Sequence, residues 1–95
     1  MPDELQGKQI LAILQQSPIC LWIGTEGNGL YKINPQSKEI TNYVHIPGKK
    51  GSISSNYIRS LTLDSQNVLW IGSINSLNIH NEATDSFENY TSNSQ

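Results

Sequence analysis

The sequence is poor in charge, cysteine and long apolar runs, and each shortage excludes a class of protein. Charged residues make up 15% of the 95 positions and the net charge is −2, so no basic surface marks a nucleic-acid or anionic-membrane partner. The single cysteine, Cys20, excludes an intrachain disulfide and is expected to be a buried thiol. No apolar run approaches the roughly 18 residues of a membrane span. We therefore expect neither nucleic acid nor membrane as a partner.

Catalytic and metal-binding patterns are also missing from the sequence. His45 and His80 are the only histidines, and neither has a second His, Cys or Asp at metal-ligand spacing. The serines lie in no nucleophile elbow or comparable local context. The glycines at residues 24–29 open no helix, so they do not form a dinucleotide-binding fingerprint. The sequence predicts no catalytic residue, no metal site and no cofactor.

The sequence does contain one motif twice. Leu-Trp-Ile-Gly occupies residues 21–24 and again residues 69–72, which is an offset of 48 positions. A one-residue gap near Gly27 and Asn28 changes the offset to 47, and the alignment then continues to Tyr43 and Tyr90. The further identities pair Ile10 with Ile58, Ser17 with Ser65, Leu30 with Leu77, Asn34 with Asn81, and Asn42 with Asn89. The chain is two repeats of one unit, a spacing typical of propellers and solenoids.

Each repeat alternates short apolar runs with turn-forming residues, which is the pattern of a strand meander. We predict strands at residues 10–14, 20–25, 30–33, 40–45, 58–63, 68–73, 77–80 and 87–91. No window of about eleven residues has helical spacing. The fold class is therefore all-β, with two four-stranded antiparallel propeller blades. We divide the chain into a lead-in (1–8), a first blade (9–48), an inter-blade loop (49–56), a second blade (57–91) and a polar tail (92–95).

The turns can be assigned in more detail. Asn28-Gly29 is expected to take the two positive-φ positions of a type I′ turn, and Asn75 the left-handed position of the corresponding turn in the second repeat. Asn34-Pro35 is expected to begin a turn, because proline fixes its own φ and lacks a donor. Asp64 with Asn67 is expected to close a hairpin through Asx-type side-chain bonds.

These residues resemble a known family. Leu-Trp-Ile-Gly-Thr, then Gly-Ser-Ile-Ser-Ser-Asn-Tyr-Ile-Arg-Ser-Leu at 51–61 and Asp-Ser-Gln-Asn-Val-Leu-Trp-Ile-Gly at 64–72, are similar to the two-component regulator propeller repeat. The resemblance covers about residues 7–91. It implies blades of the kind found in extracytoplasmic sensing regions of bacterial hybrid histidine kinases, where full propellers bind ligands such as oligosaccharides. The start of the chain is polar and acidic, unlike a signal peptide. Localisation stays open, and the resemblance implies the periplasm if the chain belongs to a larger receptor.

A propeller blade is covered on both faces, and this predicts a partner. Trp22 and Ile23 point to opposite faces of their strand and both are apolar. Two blades alone leave two such faces bare, and exposing several large apolar side chains would cost more than the margin of about 5–15 kcal/mol that keeps a domain folded. We expect the chain to pair with itself, as a six-bladed trimer before an eight-bladed tetramer, or with adjacent blades of a longer chain.

The predicted function is a non-catalytic sensor or binding module. Its ligand face is expected where the loops between the middle strands meet the segment that leads into the second blade. The candidate ligand-binding residues are Thr25, Glu26, Asn28, Asn56, Tyr57 and Arg59. Trp22 and Trp70 are expected to pack between blades. Two alternatives stay open: a lectin-like homo-oligomer that binds carbohydrate in inter-blade pockets lined by Trp and Tyr, and a purely structural scaffold.

Overall fold

The computed structural model of the chain describes residues 5–91, with only the backbone of Thr91, and contains two four-stranded antiparallel sheets. Each sheet is a meander in which every strand pairs with its neighbour in sequence. Blade 1 comprises β1 (Ile10–Ser17), β2 (Cys20–Thr25), β3 (Leu30–Ile33) and β4 (Ile40–Tyr43). Blade 2 comprises β5 (Ser60–Leu63), β6 (Leu69–Gly72), β7 (Ser76–Asn81) and β8 (Ser86–Thr91). The predicted fold class is confirmed. The predicted polar tail lies outside the described residues.

Most strand ends agree with the prediction, and one difference is informative. The second blade was expected to begin a strand near Ile58, but β5 begins at Ser60. The Ile58 amide instead donates to the Thr25 carbonyl of blade 1 at 2.8 Å, and Tyr57 forms an isolated antiparallel bridge with Glu26. The segment that leads into blade 2 is therefore paired with blade 1 before it joins its own sheet.

The two predicted left-handed asparagines are wrong. Gly27 (φ 92°) and Gly29 (φ 86°) have positive φ, whereas Asn28 and Asn75 do not. Four residues separate β2 from β3, so the connection is too long for the two-residue type I′ turn that the Asn-Gly pair suggested. Glycine is also required at position 29 because a Cβ there would collide with the carbonyl oxygen of Tyr43.

The predicted turns at Asn34-Pro35 and at Asp64 are confirmed, and both contain Asx-type side-chain bonds. The Asp64 carboxylate accepts hydrogen bonds from the amides of Gln66 (2.8 Å) and Val68 (3.0 Å). The Asn34 side-chain oxygen accepts from the amides of Gln36 (2.9 Å) and Ser37 (3.1 Å). In both hairpins the side chain replaces the backbone partner that the turn removes.

The main core lies between the blades. Strand register places Trp22 and Leu30 on the same face of blade 1. Both side chains belong to a core that includes residues of blade 2, so this face points at blade 2. The buried members of this core are Trp22, Leu30, Ile53, Ile58, Leu69, Ile71 and Phe87. Burying each such side chain is worth about 1.5–3 kcal/mol, so this interface is the main source of stability.

The opposite faces of the two blades differ in cover. On blade 1, Ile23, Tyr31 and Ile33 are buried around Leu5, which is 1% exposed. Ile53, 48 positions after Leu5, is buried against blade 2 in the same way. The segments that precede the two blades therefore each place one apolar side chain at the equivalent position. The outer face of blade 2 carries Trp70, Leu77, Ile79 and Tyr90, with Tyr90 50% exposed.

Two equivalent glycines differ in how tightly their surroundings pack. A Cβ on Gly24 would lie 2.5 Å from Cγ2 of Ile58 and 3.2 Å from its carbonyl oxygen. A Cβ on Gly72 would meet the hydroxyl of Ser60, which is the end of a rotatable side chain. The tight contact at Gly24 lets blade 1 lie directly against the segment that leads into blade 2.

Among residues 5–91, no helix has the length and apolar character that crossing a membrane requires.

Candidate ligand-binding face

The β2–β3 loop of blade 1 and the segment leading into blade 2 are held together by backbone hydrogen bonds. The amides of Gly27 and Gly29 both donate to the Asn56 carbonyl, at 3.1 and 2.9 Å. The Ile58–Thr25 bond lies beside them. All six residues predicted from the sequence as ligand contacts belong to these two segments, residues 25–28 and 56–59, which we call the loop face. Whether they bind a ligand stays a prediction.

The side-chain oxygens of Thr25 and Asn56 are hydrogen-bonded within the protein. Thr25 is 0% exposed, and its hydroxyl donates to the Gly29 carbonyl (2.7 Å) and accepts from the Asn28 amide (3.1 Å). The Asn56 side-chain oxygen accepts from the His45 amide at 2.7 Å. Their geometry suits them to hold the two segments in place beneath the exposed side chains.

The other four predicted residues present side chains to solvent. Glu26, Asn28 and Arg59 are exposed and Tyr57 is half-buried. The Arg59 guanidinium lies over the Tyr57 ring at 6.0 Å from its centroid, within reach of a cation–π interaction. The backbone bridge between Glu26 and Tyr57 makes these two residues direct neighbours across the two segments. The loop face thus combines an aromatic surface, a cation, a carboxylate and an amide.

The equivalent loop of blade 2 has different chemistry. Ser73 donates its amide to the Ser76 carbonyl at 3.0 Å, and the two hydroxyls are hydrogen-bonded to each other. Ile74, which stands where blade 1 has Glu26, is 58% exposed. The two loops therefore do not form two copies of one site.

A second polar cluster lies between the blades and was missed by sequence reasoning. The Tyr43 hydroxyl lies 2.9 and 3.0 Å from the two carboxylate oxygens of Asp85, and the His80 Nε2 lies 2.9 Å from the same group. The His80 ring packs against Trp22 at 5.1 Å between centroids, and Phe87 packs against Tyr43 at 5.2 Å. This cluster links β4 of blade 1 to the β7–β8 hairpin of blade 2.

The cluster shifts two pKa values in opposite directions. Burial, followed by the hydrogen bond and charge of Asp85, raises the pKa of Tyr43. Partial burial would raise the pKa of Asp85, but hydrogen bonds from His80 and Tyr43 and the charge of Lys32 outweigh it and hold the pKa below its usual value. Neutral Tyr43 therefore donates to ionised Asp85 around neutral pH, which is a charge-assisted hydrogen bond.

Comparison of the repeats could have found this cluster. Asp85 and Lys38 are equivalent positions, and both have positive φ, at 52° and 72°. His80 likewise stands where the first repeat has Ile33. A histidine thus replaces an isoleucine and, five residues later, an aspartate replaces a lysine. Two such differences between the repeats within one hairpin indicate a local function for that hairpin.

The two tryptophans have equivalent hydrogen bonds but different cover. The Trp22 indole donates to Gln16 Oε1 at 2.8 Å, and the Trp70 indole donates to Asp64 Oδ2 at 2.9 Å. The Trp70 bond, with the backbone bonds from Val68 and Gln66, lowers the pKa of Asp64. Trp22 is 1% exposed between the blades, as predicted, whereas Trp70 is only partly buried.

Grooves at the blade boundary lie away from the loop face. A groove of about 410 Å³ is lined by Tyr43, Val44, Ile46, Thr84 and Asp85, among other residues. Another, of about 380 Å³, includes Cys20 and Lys32 in its lining. Cys20 is half-buried, and burial raises the pKa of its thiol. Within residues 5–91, no group of three or more His, Cys, Asp or Glu side chains is placed to hold a metal ion.

Comparison with known proteins identifies the repeat. Residues 52–75 match the two component regulator propeller family. Histidine kinase P4 of Formosa agariphila is 34% identical over 82 residues, which are 82% of this chain and 6% of that protein.

Solved structures agree in fold. The extracellular domain of the hybrid two-component system BT3049 of B. thetaiotaomicron superposes with a TM-score of 0.79 at 21% identity, over 86% of this chain and 12% of that one. The extracellular domain of BT4673 from the same organism gives 0.77 at 24% identity, over 93% and 11%. The chain thus spans a small part of each relative, and at these identities the two structures establish the fold alone.

Proposed function

Because the chain carries the two-component regulator propeller repeat, we propose that its two blades are part of a non-catalytic sensor propeller whose ligand binds at the loop face. The observation that supports this most is the backbone pairing of residues 25–28 with residues 56–59, which brings four solvent-facing polar and aromatic side chains together on a fixed support.

The chemistry of the loop face suits a hydroxyl-rich ligand such as an oligosaccharide. The half-buried Tyr57 ring offers a flat apolar surface for a sugar ring, and the Glu26 carboxylate and Asn28 amide can hydrogen-bond hydroxyls. The Arg59 guanidinium adds a positive charge that would favour an acidic sugar. Thr25 and Asn56 would act as supports, since their side-chain oxygens are hydrogen-bonded within the protein.

The repeat itself supplies substitutions that test this proposal. Gln9 and Leu11 stand in the first repeat where Tyr57 and Arg59 stand in the second, so Tyr57→Gln and Arg59→Leu introduce side chains that this fold already holds at equivalent positions. Lys49→Leu, in the exposed inter-blade loop, is the matched control for loss of one positive charge.

Binding is measured by calorimetry and by amide chemical shifts against a panel of neutral and uronic-acid oligosaccharides. We expect each loop-face variant to weaken binding at least tenfold and Lys49→Leu to leave it unchanged. Shifts that map to the blade boundary near Tyr43, with the loop face unaffected, would favour the inter-blade lectin alternative. If no oligosaccharide in the panel binds, the proposed ligand class is wrong.

The lectin alternative has one obstacle. It requires aromatic side chains between the blades to be open to a sugar, and Trp22 is 1% exposed there with His80 against its ring. The groove beside Tyr43 is the part of the blade boundary that such a ligand could reach.

A further inference from the structure

The interface inside the chain shows what kind of surface covers the tryptophan side of a blade. Blade 1 presents Trp22 and Tyr43, and blade 2 receives them with His80 and Phe87 at centroid distances of 5.1 and 5.2 Å. Leu61 of blade 2 packs against the same core. Each interface between blades therefore joins two different faces, an aromatic face and a receiving face.

Both kinds of face occur a second time in the chain. The aromatic face recurs on blade 2, where Trp70, Leu77 and Tyr90 stand in place of Trp22, Leu30 and Tyr43. We call this surface, with Ile79, the Trp70 face. The receiving face recurs on blade 1. Its residues are Ile13, Leu21, Ile23, Tyr31, Ile33 and Ile40, and we call it the Ile13 face.

Burial shows that the Trp70 face lacks the cover of its counterpart and that the Ile13 face lacks part of it, because Ile23, Tyr31 and Ile33 are buried beside Leu5 but Ile13 is exposed. Leu30 is 0% exposed, whereas Leu77 is only partly buried. Ile13 is 61% exposed, whereas its equivalent Leu61 packs in the core between the blades. Tyr90 is 50% exposed.

A broad hollow on blade 2 also reaches the uncovered Trp70 face. It has a volume of about 820 Å³, and Val68, Ile79 and Glu88 are among its lining residues. Strand pairing places Ile79 and Glu88 on the same side of blade 2 as Trp70 and Tyr90, so part of this hollow opens on the Trp70 face.

We infer that the Trp70 face docks on the Ile13 face of a second molecule of this chain, head to tail. The internal interface identifies the Ile13 face as the partner of the Trp70 face, because the surface of blade 2 that covers Trp22 is formed by the equivalent strand positions. The contact is heterologous, so it repeats from one molecule to the next, and the rotation between propeller blades lets such a series close into a ring. Propellers of four to eight blades correspond to about two to four molecules. This inference does not depend on the loop face binding a ligand.

The new contact should be more apolar than the internal one. Ile33 stands where His80 stands, and Lys38 where Asp85 stands. The Tyr90 hydroxyl would therefore meet a lysine instead of the carboxylate that Tyr43 uses. We expect apolar burial to carry this interface, with no equivalent of the hydrogen bond between Tyr43 and Asp85.

The test uses one exposed residue from each face. Tyr90→Glu and Ile13→Glu place a carboxylate on the Trp70 face and the Ile13 face, at side chains exposed enough for the fold to tolerate the change. Ile46→Glu, at a loop residue that is 42% exposed and lies on neither face, is the matched control. Mass is measured by light scattering after size-exclusion chromatography over a dilution series, and circular dichroism checks that each variant is folded.

We expect the wild-type chain and Ile46→Glu to have at least twice the monomer mass of 10.6 kDa. Tyr90→Glu and Ile13→Glu should each be monomeric alone. Their mixture should form a dimer and nothing larger, because Ile13→Glu keeps an intact Trp70 face and Tyr90→Glu keeps an intact Ile13 face. A wild-type monomer at every concentration, an Ile13→Glu oligomer of wild-type mass, or a mixture without dimer would each overturn the inference.

A direct tandem fusion gives a second measurement. Joining Gln95 to Met1 places nine residues between Tyr90 of the first unit and Leu5 of the next, the same number that separates Tyr43 from Ile53. The fusion should therefore place the two faces together without an added linker. We expect Tyr90→Glu in the first unit to lower the thermal midpoint of the fusion more than it lowers that of the Ile13→Glu monomer, in which the Trp70 face is uncovered, and equal effects would contradict the inference.

Discussion

Two equivalent leucines allow the energy of the blade interface to be measured inside one molecule. Leu30 and Leu77 occupy the same position of the two repeats, but Leu30 is 0% exposed between the blades and Leu77 lies partly buried on the Trp70 face. Truncation to alanine removes the same atoms at both sites. Only at Leu30 does it also leave a cavity that the surrounding structure must enclose.

The structure sets the size of the difference. Leu→Ala at a fully buried site costs about 2–5 kcal/mol, and we expect Leu30→Ala to lower the free energy of unfolding by about 3 kcal/mol. Leu77 has already lost part of its cover, so Leu77→Ala should cost about 1 kcal/mol. In a domain of this size, each kcal/mol shifts the thermal midpoint by roughly 4–8 °C. The two variants should therefore melt at clearly different temperatures.

The assay is urea unfolding followed by the fluorescence of Trp22 and Trp70. It is done in the Ile13→Glu background, so that a second molecule does not cover Leu77. Equal costs for Leu30→Ala and Leu77→Ala would refute the reasoning, because they would mean that the blades do not bury Leu30 more than Leu77. Without Ile13→Glu, the cost of Leu77→Ala should rise toward that of Leu30→Ala if the head-to-tail contact forms.

Two further predictions also use pairs of equivalent residues. The indole proton resonance of Trp70 should shift with pH as Asp64 titrates, with a midpoint below the ordinary aspartate value of about 3.9, while that of Trp22, which donates to a glutamine, should not move. A two-dimensional NMR titration checks this, and equal shifts of both indoles would contradict it. Gly24→Ala should lower the free energy of unfolding by about 1–3 kcal/mol through overpacking, and Gly72→Ala should lower it less, since only the Ser60 hydroxyl must rotate away. Urea midpoints in the reverse order would count against the close contact between the blades.

The fold could be predicted because the pattern that specifies it is local and occurs twice. Trp22 and Ile23 alternate between two covered faces, and the same alternation returns at Trp70 and Ile71. A strand buried on both faces is apolar at consecutive positions, and its short length between turn residues distinguishes it from a helix. The eight strands followed from this pattern, with ends that differ by up to three residues.

The loop conformations could not be predicted from residue pairs. Asn28-Gly29 suggested a two-residue turn, but the number of residues between β2 and β3 depends on where Thr25 and Leu30 find strand partners. The Thr25 hydroxyl then bonds inside the loop and leaves positive φ to Gly27 and Gly29. Tertiary pairing therefore determined the turn.

The candidate site could be predicted only in part, because it too depends on tertiary contacts. The loops were identified because they flank strands whose order the repeat defines. The engagement of Thr25 and Asn56 depends on backbone contacts between segments about thirty residues apart, which one sequence does not show. The bond between Tyr43 and Asp85 spans 42 residues and could be suspected only from the substitution of Lys38 by Asp85 between repeats.

The positions where the two repeats differ give the internal interface a chemistry of its own. His80 and Asp85 belong to the receiving face of blade 2, where they bond each other and Asp85 accepts from Tyr43 of blade 1. On blade 1, Ile33 of the Ile13 face and Lys38 of the neighbouring turn stand at these positions, so blade 1 cannot make this bond. If the Ile13 face of another molecule packed against Tyr43, the Tyr43 hydroxyl would lose the Asp85 carboxylate and lie near a lysine instead. The loss of this partially buried hydrogen bond disfavours that pairing relative to the internal one. The polar cluster therefore favours blade 2 of the same chain, over the Ile13 face of another molecule, as the partner of blade 1.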